Sequence, residues 1–153
     1  MSHPRNTAAP RHAEEGERGY VLKSWTEAMH RHHVRTPWAV YKRLVVPSLR
    51  AVLDRSEVLV SHLPDGLIAG WIAIERKPRV GAVHWVHCRY RHPSTHELLR
   101  RRGVMTELLD AADLGSRIVY THTDADGLHK TLAEWLASRD VTALHLPYVE
   151  WKK

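Results

Sequence analysis

The sequence contains no phenylalanine and one cysteine, Cys88, among its 153 residues. A single cysteine cannot form an internal disulfide, which excludes a disulfide-stabilised secreted scaffold and favours a reducing compartment. No apolar run approaches the roughly 18 residues of a membrane-spanning helix, and the N-terminus lacks the apolar core of a signal peptide. These absences predict a cytoplasmic protein that does not insert into a membrane.

The composition is otherwise typical of a globular domain with a basic surface. Hydrophobic residues make up 43% of the chain and charged residues 26%, which excludes extensive disorder. Because phenylalanine is absent, 6 tryptophans and 5 tyrosines must supply the large aromatic side chains. The net charge of +6 favours acidic partners, such as the phosphates of a cofactor, nucleic acid or an acidic protein surface.

The first 19 residues differ from the rest of the chain. They are polar and are interrupted by two prolines and two glycines, namely Pro4, Pro10, Gly16 and Gly19. We therefore expect a flexible or partner-docked arm over residues 1–19 and a single domain over residues 20–153.

Hydrophobic periodicity and turn residues predict nine elements after the arm. Pro37 can open a helix, and Pro64-Asp65-Gly66 is a turn signal between two strands rich in Val and Leu. The predicted helices span 20–33, 37–54, 94–113 and 127–139, and the predicted strands span 57–63, 67–76, 82–90, 117–123 and 141–151. The order ααβββαβαβ predicts an α/β (α+β) fold, with a mixed, mostly antiparallel twisted sheet and helices on both faces.

Three stretches carry a resemblance to a known family. They are EVLVSHLPDGLIAGWIAIE at 57–75, AVHWVHCRY at 82–90 and RRRGVMTELL at 100–109. Together with the element order, they resemble the hairpin, central strand and cofactor loop of the GCN5-related N-acetyltransferase (GNAT) superfamily. The opening YVLKSW at 20–25 is similar to acetyltransferase-like proteins encoded by bacteriophages.

The resemblance implies a binding site for acetyl-CoA. In the family, the loop before the third helix wraps the pyrophosphate, and main-chain groups of the central strand align the thioester. The matching residues here are Val86 and Cys88 on the strand and Arg100, Arg101, Arg102, Gly103, Val104 and Met105 in the loop. Met105 departs from the family pattern, which has Gly or Ala there, and could either crowd the phosphate path or point into the core.

A second interpretation competes for the same residues. Ser94, followed three positions later by Glu97, forms a capping box that predicts a helix start. A helix that ran from Thr95 through Gly103 would leave no phosphate-binding loop. The sequence leaves both interpretations open.

The resemblance also implies a tyrosine on the last helix that protonates the leaving thiolate, but the matching position is Trp135. An indole N–H donates a hydrogen bond but is not a useful general acid. His129 or Tyr148 could take this role.

Three residues are candidates for the base that deprotonates the acceptor: Glu75 near the end of a strand, and His84 or His87 on the central strand. Strand alternation predicts that the two histidines point to opposite faces, so we expect no metal site there.

The leading hypothesis is therefore transfer of an acetyl group from acetyl-CoA to a primary amine. The alternative is a non-catalytic protein of the same fold, acting as a phage virion or assembly component in a host cytoplasm or virion. Its arm and Trp151 would then contact neighbouring subunits, unless Trp151 covers the sheet edge instead. No motif supports direct nucleic-acid recognition, and we expect none.

Overall fold

The structure, a computed structural model, describes residues 9–31, 33–99, 103–121 and 136–152. Six strands form one sheet in chain order: β1 (Arg11–His12), β2 (Glu57–His62), β3 (Ile68–Lys77), β4 (Val80–Cys88), β5 (Arg117–Tyr120) and β6 (Thr142–His145). Strands β1 to β4 are antiparallel, whereas β5 runs parallel to both β4 and β6. The predicted mixed, mostly antiparallel sheet is confirmed.

Four helices lie wholly within the described residues: α1 (Glu15–His30), α2 (Trp38–Arg55), α3 (Val104–Ala112) and α4 (Tyr148–Trp151). Leu136 and Ala137 are also helical, while most of the helix predicted over 127–139 lies outside the described residues. Among the described helices, none is long and apolar enough to cross a membrane.

The two faces of the sheet have different cores. On the face covered by α1 and α2, the buried cluster contains Trp25, Trp71 and Trp85. On the face covered by α3, the buried side chains are aliphatic apart from Tyr120. We call these the aromatic face and the aliphatic face. Helix α4 lies on the aromatic face, because Tyr148 packs against that cluster.

Part of the predicted arm forms regular structure in the described residues. Arg11 and His12 pair with Val60 and Leu59 and add an edge strand to the chain's own sheet. Helix α1 begins at Glu15, five residues before the predicted start. Arg11 also reaches this first turn, where it forms an ion pair with Glu17 (2.8 Å). Polar composition misled the prediction because an edge strand and a first helical turn are both exposed to water. Residues 1–8 lie outside the described part.

The last predicted strand is too long. Strand β6 ends at His145, and a short helix follows, in which the Trp151 amide bonds to the Pro147 carbonyl (3.0 Å). Proline cannot donate to a strand ladder but is compatible with the first turn of a helix. Trp151 is therefore only 3% exposed. Its side chain packs on Ala82 and Val119 of the sheet instead of offering an anchor to another subunit.

Candidate active site

Strand β4 is paired along its whole length on one edge but only in part on the other. It bonds to β3 from Val80 to Cys88, whereas its register with β5 covers only residues 81 to 83. We call Val80–Val83 the paired half and His84–Cys88 the open half. Among the described residues, no strand pairs with the β5-side edge of the open half; β5 ends at Tyr120, and residues 122–135 lie outside the described part.

A β-bulge lies where the two halves meet. Ala73 pairs with Trp85 and Ile74 with Val83, so His84 is the extra residue on β4. A bulge bends its strand and shifts the alternation of side chains by one position. This overturns the prediction that His84 and His87 point to opposite faces, because both rings contact residues of the aromatic face. Within the described ranges, no three potential ligands lie close enough to hold a metal ion.

His84 is the centre of a buried polar group. Its Nε2 lies 3.1 Å from Glu75 Oε1, and its Nδ1 lies 2.6 Å from Thr121 Oγ1. The ring is 1% exposed. Burial lowers the pKa of His84; the Glu75 carboxylate raises it and offsets only part of the effect, while Arg55 lowers it further. The imidazole is therefore neutral at neutral pH, which is the state that a base requires.

Tyr148 joins this group from α4. Its ring meets the His84 ring edge to face at 5.5 Å between centroids, and the Arg55 guanidinium lies 5.5 Å from the Tyr148 centroid. The structure thus brings together three of the four predicted catalytic residues: Glu75, His84 and Tyr148.

His87, the fourth, has different neighbours. Its ring stacks on Trp71 at 5.8 Å and meets Tyr20 edge to face at 6.3 Å. Burial, together with the positive charges of Arg89 and Arg31, lowers the pKa of His87 to about 4. A group of such low basicity is a poor base for an ammonium at neutral pH. His87 therefore packs in the aromatic core beside the His84 group.

Helix α3 begins at Val104, so the expected continuous helix from Thr95 is wrong. Arg91 and Leu98 instead form an isolated antiparallel bridge, and the His92 amide bonds to the Glu97 carbonyl (2.9 Å). These bonds close residues 91–98 into a loop. The capping box predicted a helix wrongly. The main-chain groups of Glu97 and Leu99, which a helix would use for its own hydrogen bonds, bond across this loop to His92 and Tyr90.

Gly103 caps α3 with a positive φ of 79°. It has no side chain to fill the space before the helix, and the first amides of any helix lack intrahelical acceptors. Met105 packs against the aliphatic core, which decides between its two predicted orientations. The N-terminus of α3 is therefore suited to an anion.

Gly70 holds this helix end beside the open half of β4. It pairs with Cys88, and a Cβ built on Gly70 would lie 2.8 Å from Val104 Cγ1. Only a residue without a side chain lets α3 approach so closely. The start of α3 consequently lies beside the open half of β4.

The other predicted cofactor residues divide into three groups. Val86 and Cys88 lie on the open half; the Val86 side chain is buried in the aliphatic core, and Cys88 is an exposed residue at the end of the strand. Gly103, Val104 and Met105 form the start of α3. Arg100, Arg101 and Arg102 lie outside the described residues, as do His129 and Trp135.

Sequence reasoning missed Thr121, which follows the last residue of β5. Its amide donates to the Val83 carbonyl (3.1 Å), directly after the last paired residues of β4 and β5. A threonine after a short apolar strand carries no signal of its own, and only the fold places it against His84.

No family model and no curated protein matches the sequence. Solved structures do match. A protein from Pyrococcus furiosus provisionally described as an acetyl transferase has a TM-score of 0.65 and 16% identity, over 92% of this chain and 95% of that one. A point mutant of the BH1408 protein from Bacillus halodurans has a TM-score of 0.52 and 14% identity, over 92% and 99%. At these identities the likeness shows the fold, which is GNAT-like.

Proposed function

We propose that the protein transfers an acetyl group from acetyl-CoA to a primary amine. The observation that carries this proposal is the open half of β4 beside the N-terminus of α3. The edge of a strand and the start of a helix are two places where main-chain donors and acceptors can bind a ligand. An extended amide-containing chain ending in a pyrophosphate offers partners for both.

Different parts of the chain would bind different parts of acetyl-CoA. The amides that follow Gly103 bind the pyrophosphate, and the positive end of the α3 dipole stabilises its charge. The open half, including Val86 and Cys88, orients the pantetheine arm through its main chain. Acetyl-CoA supplies the acetyl group as a thioester. Helix α3 starts on the aliphatic face, and His84 lies on the aromatic face at the start of the open half.

His84 and Glu75 supply the base on the acceptor side. A neutral imidazole whose Nε2–H donates to a carboxylate is oriented and can take up a proton. Tyr148, in contact with the His84 ring, is the group placed to protonate the leaving thiolate. Because neither acid nor base has to move far, most of the rate gain comes from positioning.

Calorimetric titration with acetyl-CoA tests the proposal. Gly103→Ala forces a side chain onto a φ of 79°, and Gly115→Ala does the same at the other end of α3, where φ is also 79°. At neither glycine would a new Cβ meet a described atom within 4 Å. We therefore expect similar losses of stability in the two variants, but weaker binding of acetyl-CoA, by about tenfold or more, only for Gly103→Ala.

Absence of binding heat for the wild-type protein at millimolar acetyl-CoA would refute the proposal. The non-catalytic alternative would then stand, although two features that favoured it belong to this chain's own fold. Trp151 is buried against the sheet, and residues 11 and 12 form its edge strand.

A further inference from the structure

Both ring nitrogens of His84 are already engaged by side chains. Glu75 occupies Nε2 at 3.1 Å and Thr121 occupies Nδ1 at 2.6 Å. With the ring buried, a substrate cannot contact either nitrogen unless one partner moves. Any proton that His84 takes up in this arrangement comes from the Thr121 hydroxyl.

The carboxylate fixes which nitrogen is basic. An ionised Glu75 can only accept a hydrogen bond, so Nε2 carries the proton of the neutral ring and donates it to Glu75. Nδ1 is then the acceptor and the Thr121 O–H is the donor. Burial keeps the imidazole neutral by lowering the pKa of His84. A hydroxyl, a neutral imidazole and a carboxylate in this order form the nucleophile, base and orienting group of covalent catalysis.

The hydroxyl also stands where a thioester would arrive. Thr121 is bonded through its amide to Val83, the last residue of the paired half, so its side chain lies beside the start of the open half. His84, the bulged residue of β4, follows Val83 directly. The acyl group of a ligand lying along the open half would reach Thr121 at the end of the open half that begins with His84.

We propose that Thr121 is a nucleophile that accepts the acyl group from a thioester, with His84 as its base and Glu75 as its positioning residue. Thr121 Oγ1 bonds to the thioester carbonyl carbon while its proton passes to His84 Nδ1. The C–S bond then breaks, Tyr148 gives its hydroxyl proton to the leaving sulfur, and His84 returns a proton to the Tyr148 oxygen. The product is an ester on Thr121.

An amine can complete the transfer by the reverse sequence. An acylated Thr121 no longer donates a hydrogen bond to His84 Nδ1, so the amine nitrogen can give a proton to this atom as it attacks the ester carbon. The C–O bond to Thr121 breaks, and the hydroxyl is restored with that proton. No oxidant, reductant or metal enters either step. The assignment rests on the proposed function for the identity of its acyl donor.

Acid-quenched mass spectrometry tests the covalent step. The wild-type protein is mixed with acetyl-CoA without any amine, quenched in acid and digested with trypsin. The relevant peptide spans 118–130 and also contains Tyr120 and Thr123, so fragmentation must place the added acetyl group on Thr121. A parallel arm replaces acetyl-CoA with p-nitrophenyl acetate, an acyl donor that needs no cofactor site.

Variants separate the nucleophile from a structural bridge. We expect acetyl on Thr121 in the wild-type protein and in Thr121→Ser, and no acetyl there in the nearly isosteric Thr121→Val. Thr142→Val, which removes an exposed threonine on neighbouring β6, is the matched control and should label as the wild type does. Glu75→Gln should slow the labelling by about a hundredfold without changing the affinity for acetyl-CoA.

Each outcome decides the question. Labelling of Thr121 by p-nitrophenyl acetate without binding of acetyl-CoA would support the nucleophile and refute the proposed cofactor. Binding and turnover of acetyl-CoA with no acetyl on Thr121, and with Thr121→Val as fast as the wild type, would show that the hydroxyl only ties β4 to β5. Failure of both donors to label Thr121 in the folded protein would also overturn the inference.

Discussion

The two halves of β4 differ both in sequence and in surroundings. The paired half bonds to β3 and β5 and is covered by α4, where Trp151 packs on Ala82. The open half bonds to β3 and, among the described residues, to no strand on its other edge. A strand paired on both edges has no main-chain groups left for a ligand. The candidate site therefore lies where pairing ends.

The bulge at His84 makes this difference sharper. It separates the halves and turns a buried histidine toward Glu75 and Thr121, while Trp85 still fills the aromatic core. Bulges commonly re-aim a side chain next to a functional site. Pairing with its neighbours stabilises β4, and the polar group around His84 lies where the regular pairing is interrupted.

The largest expected effect compares a glycine in each environment. Gly70 faces the open half, and an added Cβ would lie 2.5 Å from the His87 carbonyl oxygen, which cannot move without breaking the sheet. Gly81 is in the paired half, and its Cβ would meet the end of the Leu114 side chain at 2.5 Å, which can rotate. Gly70→Ala should lower the free energy of unfolding by about 3 kcal/mol and Gly81→Ala by about 1 kcal/mol or less.

Urea denaturation of the two variants measures this difference. Equal losses would mean that the open half is no more tightly fixed than the paired half. Gly70→Ala should in addition weaken binding of acetyl-CoA, since the displaced Val104 begins α3.

The next effect concerns pH and His87. In the unfolded chain its imidazole takes up a proton near pH 6.5, whereas the folded ring has a pKa of about 4. The unfolded state therefore binds more protons as pH falls below the ordinary value, and acid destabilises the fold. Between about pH 7 and pH 5 this histidine should cost about 1 to 2 kcal/mol of stability.

Replacing His87 with Gln should flatten this pH dependence, measured as urea midpoints across the pH range. His145→Gln, on an exposed residue of β6, is the control and should leave the slope unchanged. A slope that His87→Gln does not alter would place the acid sensitivity elsewhere, with His84 the first alternative.

The smallest effect concerns the cover of the paired half. The Lys77 ammonium lies 4.1 Å from the centre of the Trp151 ring and donates a hydrogen bond to the Trp151 carbonyl. Lys77→Met keeps the aliphatic stem and removes the charge, so we expect a loss of about 1 kcal/mol and faster amide exchange in α4. Lys42→Met, on an exposed position of α2, should do neither. Unchanged exchange would show that packing of the indole alone holds α4.

Periodicity located the regular elements well. Helix α2 starts one residue after Pro37, and the predicted hairpin surrounds the Pro64-Asp65-Gly66 turn. Such features succeed because they depend on neighbours within one or two turns of chain. Ser94 and Glu97 also form a local signal, but it predicted a helix that is not there. The chain forms a loop instead, because Arg91 bridges to Leu98, and residues seven apart are not paired by the spacing of a capping box.

The sequence alone determined the order of the described elements from α1 to β6, the two-faced sheet and the residue types from which the site is built. Glu75, His84, Tyr148 and Gly103 were visible as candidates because their chemistry belongs to the side chain or its absence. The tertiary structure decided which of them meet: it removed His87 from the group, added Thr121 and placed α3 beside the open half. The approach of α3 to β4 and the slip of one residue at a bulge depend on contacts between distant parts of the chain, and local sequence patterns do not report such contacts.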